Sequence, residues 1–181
     1  AALSAKKDKY RGIVICLYTG LRIGELLALT WDDINFEKGI LSVTKTCHDG
    51  NRNGGHIRIM DTPKTENSRR QIPLSKALVR ILKEIKKNSK CEFVIADGEN
   101  PVFVRSYQRT FELLLKKIGL QHKGFHSLRH TFATRALECG MDVKSLSEIL
   151  GHKNATITLN RYAHSLWEHK ADMMNKLSKM L

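Results

Sequence analysis

The opening stretch Ala1 to Asp8 lacks the apolar run of a signal peptide or of a membrane span. The four cysteines, Cys16, Cys47, Cys91 and Cys139, lack any paired C-x-x-C spacing, which argues against a disulfide framework and against a zinc knuckle. They fit buried thiols in a reducing cytoplasm. There is no internal repeat, no low-complexity segment and no glycine-rich phosphate loop, so solenoid, disordered and P-loop nucleotide-binding readings fall away. Acidic residues are scarce, 18 against 31 lysines and arginines in 181 residues, which leaves a formal net charge of +13. That excess favours a polyanionic partner. The cations are dispersed, and the short runs Lys6, Lys7, Lys9 and Lys83, Lys86, Lys87 do not form one basic amphipathic anchor, so nucleic acid is preferred to a membrane surface. For Lys83 to Lys87 a solvated helix face accounts for the run.

The length suits one domain with one good core. With Ala1 in place of an initiator methionine, the chain reads as a soluble piece of a longer protein. Apolar residues recur at helical spacing from Lys9 to Leu29, with a break at Thr19-Gly20. From Gly39 to Leu74 the pattern turns β-like over Ile40 to Thr46, Ile57 to Met60 and Gln71 to Leu74. Turns are expected at Asp49 to Gly55 and at Pro63 to Ser68. Helices are expected over Ser75 to Asn88, Ser106 to Ile118, Ser127 to Gly140, Asp142 to Leu150, Asn154 to Ala163 and Ser165 to Leu181. The fold class is therefore α+β, mostly α-helical with a small antiparallel sheet.

His126-Ser127-Leu128-Arg129 places an imidazole and a guanidinium on one face of a helix start, where backbone N–H groups also point outward. Arginine donates a planar fork to phosphate and histidine titrates near neutrality, so the pair suits phosphoryl chemistry. Alone it is also consistent with a solvated pair. His130 stands four residues after His126, a spacing that can hold a metal, but no third ligand lies in the local pattern. Further on come Leu150-Gly151-His152, Thr158 and Tyr162-Ala163-His164.

Taken in order, Thr19-Gly20-Leu21-Arg22-Ile23-Gly24-Glu25-Leu26, Thr62-Pro63-Lys64-Thr65, His126 to His130, Leu150 to His152 and Thr158 to His164 resemble the motifs of the tyrosine recombinases. The likeness runs from about Tyr10 to His164 and is nearest in kind to integrases of temperate phages and conjugative transposons. It implies the catalytic fold of that family over residues 1–181, with N-terminal core-binding and arm-binding domains absent. It also implies a site made of Arg22, Lys64, His126, Arg129, His152 and Tyr162. Tyr162 would attack a DNA phosphodiester and form a 3′-phosphotyrosyl link, with His126 as its base. Arg22, Arg129 and His152 would hold the non-bridging oxygens, Lys64 would protonate the leaving 5′ oxygen, and Glu25 would orient its neighbours or be a surface acid at a helix start.

No cofactor is implied, because arginines neutralise the charge and the phosphotyrosyl bond conserves the energy of the phosphodiester, so neither metal nor ATP is needed. Candidate phosphate contacts are Arg69, Arg70, Lys123, Lys153 and Arg161. The resemblance further implies double-stranded attachment-site DNA as partner and a homotetramer on DNA, with the fragment alone a monomer. An excisionase or a host DNA-bending protein would assist, in a bacterial cytoplasm at the nucleoid. The last segment, with Leu166, Met173, Met174, Leu177 and Leu181, either packs on its own core or docks on a neighbouring protomer. Two other functions stay open: a type IB topoisomerase, which swivels one strand, and a basic DNA-binding module without catalysis. The close spacing of His152 and Tyr162 favours strand exchange over swivelling, and an intact nucleophile beside both arginines favours an enzyme.

Overall fold

The structure is a computed structural model that describes residues 8–52, 54–62, 69–160, 162, 174–175 and 177–178. Lys64, Arg161, His164 and the expected turn from Pro63 to Ser68 lie outside the described residues, as does most of the expected last helix.

The chain begins with helices α1 (Arg11–Thr19) and α2 (Ile23–Ala28), separated where the sequence places Thr19-Gly20. Three strands, β1 (Ile34–Asn35), β2 (Ile40–Val43) and β5 (Arg70–Pro73), form one antiparallel sheet in the order β1-β2-β5. Strands β3 (Thr46–Arg52) and β4 (Gly55–Asp61) form a separate hairpin, and β6 (Ala96–Asp97) with β7 (Asn100–Pro101) a third small pair. Helices α3 (Lys76–Lys87), α4 (Val104–Lys117), α5 (Ser127–Glu138) and α6 (Val143–Leu150) complete the named elements. Residues 155–160 are helical, as is Tyr162. The fold is thus α+β as expected, with its sheet divided rather than single.

One expected turn is wrong in extent. Asp49 to Arg52 belongs to β3, because Asn51 pairs with His56 and Arg52 with Gly55. Cross-strand pairing satisfies the backbone of residues whose own strand preference is weak, so local propensity is overridden.

The main core joins α1 and α2 to the sheet and to α3 and α4 through Ile15, Leu26, Leu41, Ile72, Leu82 and Phe111. A second cluster fills the space between α5 and α6 with Ala133, Ala136, Leu137, Leu146 and Leu150, and Tyr162 belongs to it. Leu146 and Leu150 are fully buried, and each such side chain stabilises the fold by roughly 1.5–3 kcal/mol. Cys16 and Cys47 are buried thiols, but Cys91 is half-buried and Cys139 is exposed just beyond α5, so the cysteines are not uniformly core residues. Among the described residues no helix is long and apolar enough to cross a membrane.

Candidate active site

The site grows from the break between α1 and α2. Thr19 donates to the Ile15 carbonyl at 2.7 Å, and Gly20 turns the chain with φ 67°. A Cβ on Gly20 would stand 2.5 Å from Phe132 Cδ1 and 2.9 Å from Leu150 Cδ2, so the turn requires glycine for both conformation and space. The outcome is that the Gly20 carbonyl faces α5, where Arg129 Nη1 donates to it at 2.9 Å while Arg129 Nη2 donates to the Leu150 carbonyl at 2.5 Å. Arg129 is 2% exposed and ties three elements of the site together.

Arg22 takes the N-cap position of α2. Its backbone N–H donates to Glu25 Oε2 at 2.8 Å and its Nη1 to Glu25 Oε1 at 2.8 Å. Arg70, from β5, closes on the same carboxylate with Nη1 at 3.0 Å and Nη2 at 2.9 Å, and its Nε donates to the Ile149 carbonyl at 2.5 Å. One open alternative is excluded here and one expectation is corrected. Glu25 is a buried residue and not a surface acid. Arg70 is not a phosphate contact: its side chain is 6% exposed and its fork is engaged by Glu25, so it fastens the sheet to α2 and α6.

The electrostatics follow from this packing. Burial by itself would raise the Glu25 pKa, but the hydrogen bonds and charge of Arg70, with those of Arg22, outweigh it and hold the carboxyl down at about 2. Burial, then repulsion from Arg22, lowers Arg129 to about 9, partly opposed by Glu25. At neutral pH Glu25 and Arg129 are therefore both charged. Three guanidiniums against one carboxylate leave two net positive charges, matched to the dianionic transition state of phosphodiester attack.

His126 occupies the N-cap position of α5 without a capping side-chain bond, so the helix begins at Ser127 and not after it. His126 is exposed and packs edge-on against His130, their ring centroids 4.8 Å apart. His152 follows α6, whose end at Gly151 has φ 64°, and its Nδ1 lies 2.7 Å from the hydroxyl of the fully buried Thr158. Tyr162 is 6% exposed, and its hydroxyl lies 3.1 Å from His130 Nδ1. The structure thus brings together Arg22, Glu25, Arg129, His126 and Tyr162 around α2 and α5, with His152 fixed at the end of α6. The base expected for Tyr162 was His126; the imidazole nitrogen at its hydroxyl belongs to His130.

Of the expected phosphate contacts, Arg69, Lys123 and Lys153 are exposed. Arg69, Lys153 and His152 line one concavity, and Lys144 at the start of α6 lines it too. Lys144 carried no motif that would have singled it out. Among the described residues there is no group of three or more His, Cys, Asp or Glu side chains placed to hold a metal ion.

The phage integrase family pattern matches residues 3–169. A XerC-like tyrosine recombinase of Caldanaerobacter subterraneus is 34% identical over 183 residues, covering 90% of this chain and 47% of that protein. The transposase of transposon Tn916 from Enterococcus faecalis is 34% identical over 197 residues, covering 97% of this chain and 48% of the relative. Among solved structures, the integrase of transposon Tn1549 in complex with a circular intermediate DNA superposes with a TM-score of 0.80 at 31% identity, over 96% of this chain and 60% of that one. XerA recombinase gives a TM-score of 0.70 at 25% identity, over 95% and 58%. The chain spans about half the length of the two sequence relatives.

Proposed function

Because the chain belongs to the phage integrase family of tyrosine recombinases, we propose that it is the single catalytic domain of a site-specific DNA recombinase that moves a mobile element or prophage. The observation that carries this reading is the cluster Arg22, Glu25, Arg70 and Arg129, in which one buried carboxylate organises two of three guanidiniums and leaves two positive charges beside Tyr162. A phosphodiester seated there would place its non-bridging oxygens between Arg22 and Arg129. His152, oriented through Nδ1 by Thr158, would give its Nε2 to the same oxygens. Tyr162 Oη would attack phosphorus as the bond to the 5′ oxygen breaks, leaving a 3′-phosphotyrosyl strand end and a free 5′ hydroxyl. A neutral tyrosine is ionised in only about one molecule in a thousand at pH 7, so positive field and a base are both needed. Loss of one arginine clamp would cost roughly 3–4 kcal/mol of transition-state stabilisation. Lys64, outside the described residues, gives the leaving 5′ oxygen its proton in this proposal by its resemblance to the family's acid.

The partner is double-stranded attachment-site DNA, held by the phosphate contacts Arg69, Lys123, Lys144, Lys153 and Arg161. The working assembly is a tetramer on two duplexes, aided by an excisionase or a host DNA-bending protein, in a bacterial cytoplasm. Support comes from the net charge of +13 and from relatives solved with DNA, among them an integrase tetramer bound to a Holliday junction. The test is to mix two labelled duplexes carrying the attachment core with the full-length protein and to resolve the products by length. Recombinant-length strands are expected; relaxation of supercoiled DNA without exchange would mark a topoisomerase instead.

A further inference from the structure

We propose that His130, and not His126, is the general base that takes the proton of Tyr162; this rests on the recombinase reading above. His130 follows the H-x-x-R motif by one residue, and neither the motif nor the sequence spacing gives it a part in the reaction. The geometry does. Its Nδ1 stands 3.1 Å from Tyr162 Oη, within the reach of direct proton transfer, and the two ring centroids are 5.8 Å apart. A phenol that donates to Nδ1 requires the tautomer with its proton on Nε2, which is the neutral, basic form of the ring.

Burial sharpens the assignment. Tyr162 is 6% exposed and sits in the second apolar cluster, so bulk water is a poor acceptor for its proton. The charged or titratable residues that line the groove beside His130 are Lys123, His126, Arg135 and Glu138. The one carboxylate among them, Glu138, lies 2.7 Å from Arg135 and is exposed at the far end of α5, so it is badly placed to compete. His126 is exposed at the start of the helix and packs its ring against His130, which suits a donor to phosphate oxygen that also fixes the base. In the step, the Oη–H bond breaks and its proton passes to His130 Nδ1. The Oη–P bond forms, the bond from phosphorus to the 5′ oxygen breaks, and that oxygen takes a proton from the acid. Religation runs the same transfers backwards, and His130 returns its proton to the departing phenolate.

The experiment is single-turnover cleavage of a nicked attachment duplex by the full-length protein and by His130→Asn, read as covalent adduct against time from pH 6 to 10. Asparagine keeps a hydrogen-bonding group near the Nδ1 position but cannot take a proton. The expected result is unchanged DNA affinity, an adduct rate about 100-fold lower at pH 7, and recovery of that rate as pH rises toward 10 and the tyrosine ionises unaided. A substrate whose leaving group is a 5′-bridging sulfur, which departs without a proton, should not rescue His130→Asn. Wild-type cleavage by His130→Asn at pH 7, faster cleavage, or rescue by the sulfur substrate would each overturn the assignment while leaving the recombinase reading intact. Absence of adduct from the unaltered protein would overturn both.

Discussion

At the scale of single residues, the account depends on Glu25 more than on any group that would touch DNA. Its carboxylate accepts from Arg22 and Arg70, so the position of the first arginine is set by the second. The folded-state pKa of about 2 lies below the ordinary value of 4.5, so protons bind the unfolded chain more readily. The resulting stabilisation is fully present above pH 4.5 and is lost as pH falls toward 2; its size is about 3 kcal/mol from the shift. Urea titrations at steps from pH 2 to 6 should show this slope in the unaltered chain and a flatter one in Glu25→Gln. That variant should also lose about 3–5 kcal/mol near pH 6, because the buried Arg70 guanidinium loses the carboxylate that balances its charge. A second test at this scale is Arg129→Lys. An ammonium cannot span the Gly20 and Leu150 carbonyls as a planar fork does, so adduct formation should fall by about 100-fold or more while the chain stays folded.

At the scale of elements, two joints hold the site in register. The first is Gly20, where Phe132 and Leu150 press against the Cα and leave no room for a side chain. Gly20→Ala meets both a positive φ and this contact, and thermal melts should report a loss of more than about 2 kcal/mol. The second is Asp49 on β3, whose two carboxylate oxygens accept from the backbone of Val104 and Arg105 at 2.9 and 2.8 Å. Helix α4 has no side-chain cap of its own at Phe103, so a residue 55 positions away supplies it. Asp49→Ala should cost about 1 kcal/mol and speed amide exchange in β3 and β4 while adduct chemistry is retained.

Elements with a strong period were legible in the sequence. The amphipathic stripe of α3, the helical break at Thr19-Gly20 and the helix starts at Ser75 and Asp142 all appear in the structure, where both residues cap their helices. The extent of β3 was not, because Asp49 to Arg52 are strand residues only by virtue of their partners. The same division holds in the site. Arg22, Arg129, His152 and Tyr162 stand in motifs that are weak one by one and stood out only as an ordered set, through the resemblance to the family. The burial of Arg70 and the bond between Tyr162 and His130 join residues 45 and 32 positions apart, and no local pattern encodes such pairs.

At the scale of the whole molecule, the net charge of +13 predicts that the proposed binding to DNA weakens as salt rises. Lys144 and Lys153 lie on the same concavity as Arg69 and His152. Each phosphate contact removed should lower the slope of log affinity against log salt by about 0.9, so Lys144→Ala should reduce it by about one unit and weaken all duplexes alike. Base sequence preference should not change, because contacts to phosphate position a protein without reading bases.

The central claim, that Tyr162 is a nucleophile toward DNA phosphorus, is tested most directly by covalent trapping on a nicked attachment duplex followed by a denaturing gel. A protein–DNA adduct that maps to Tyr162, vanishes in Tyr162→Phe and falls sharply in Arg129→Ala is the predicted result. Salt-sensitive binding by the full-length protein with no adduct, or an adduct that persists in Tyr162→Phe, would contradict it.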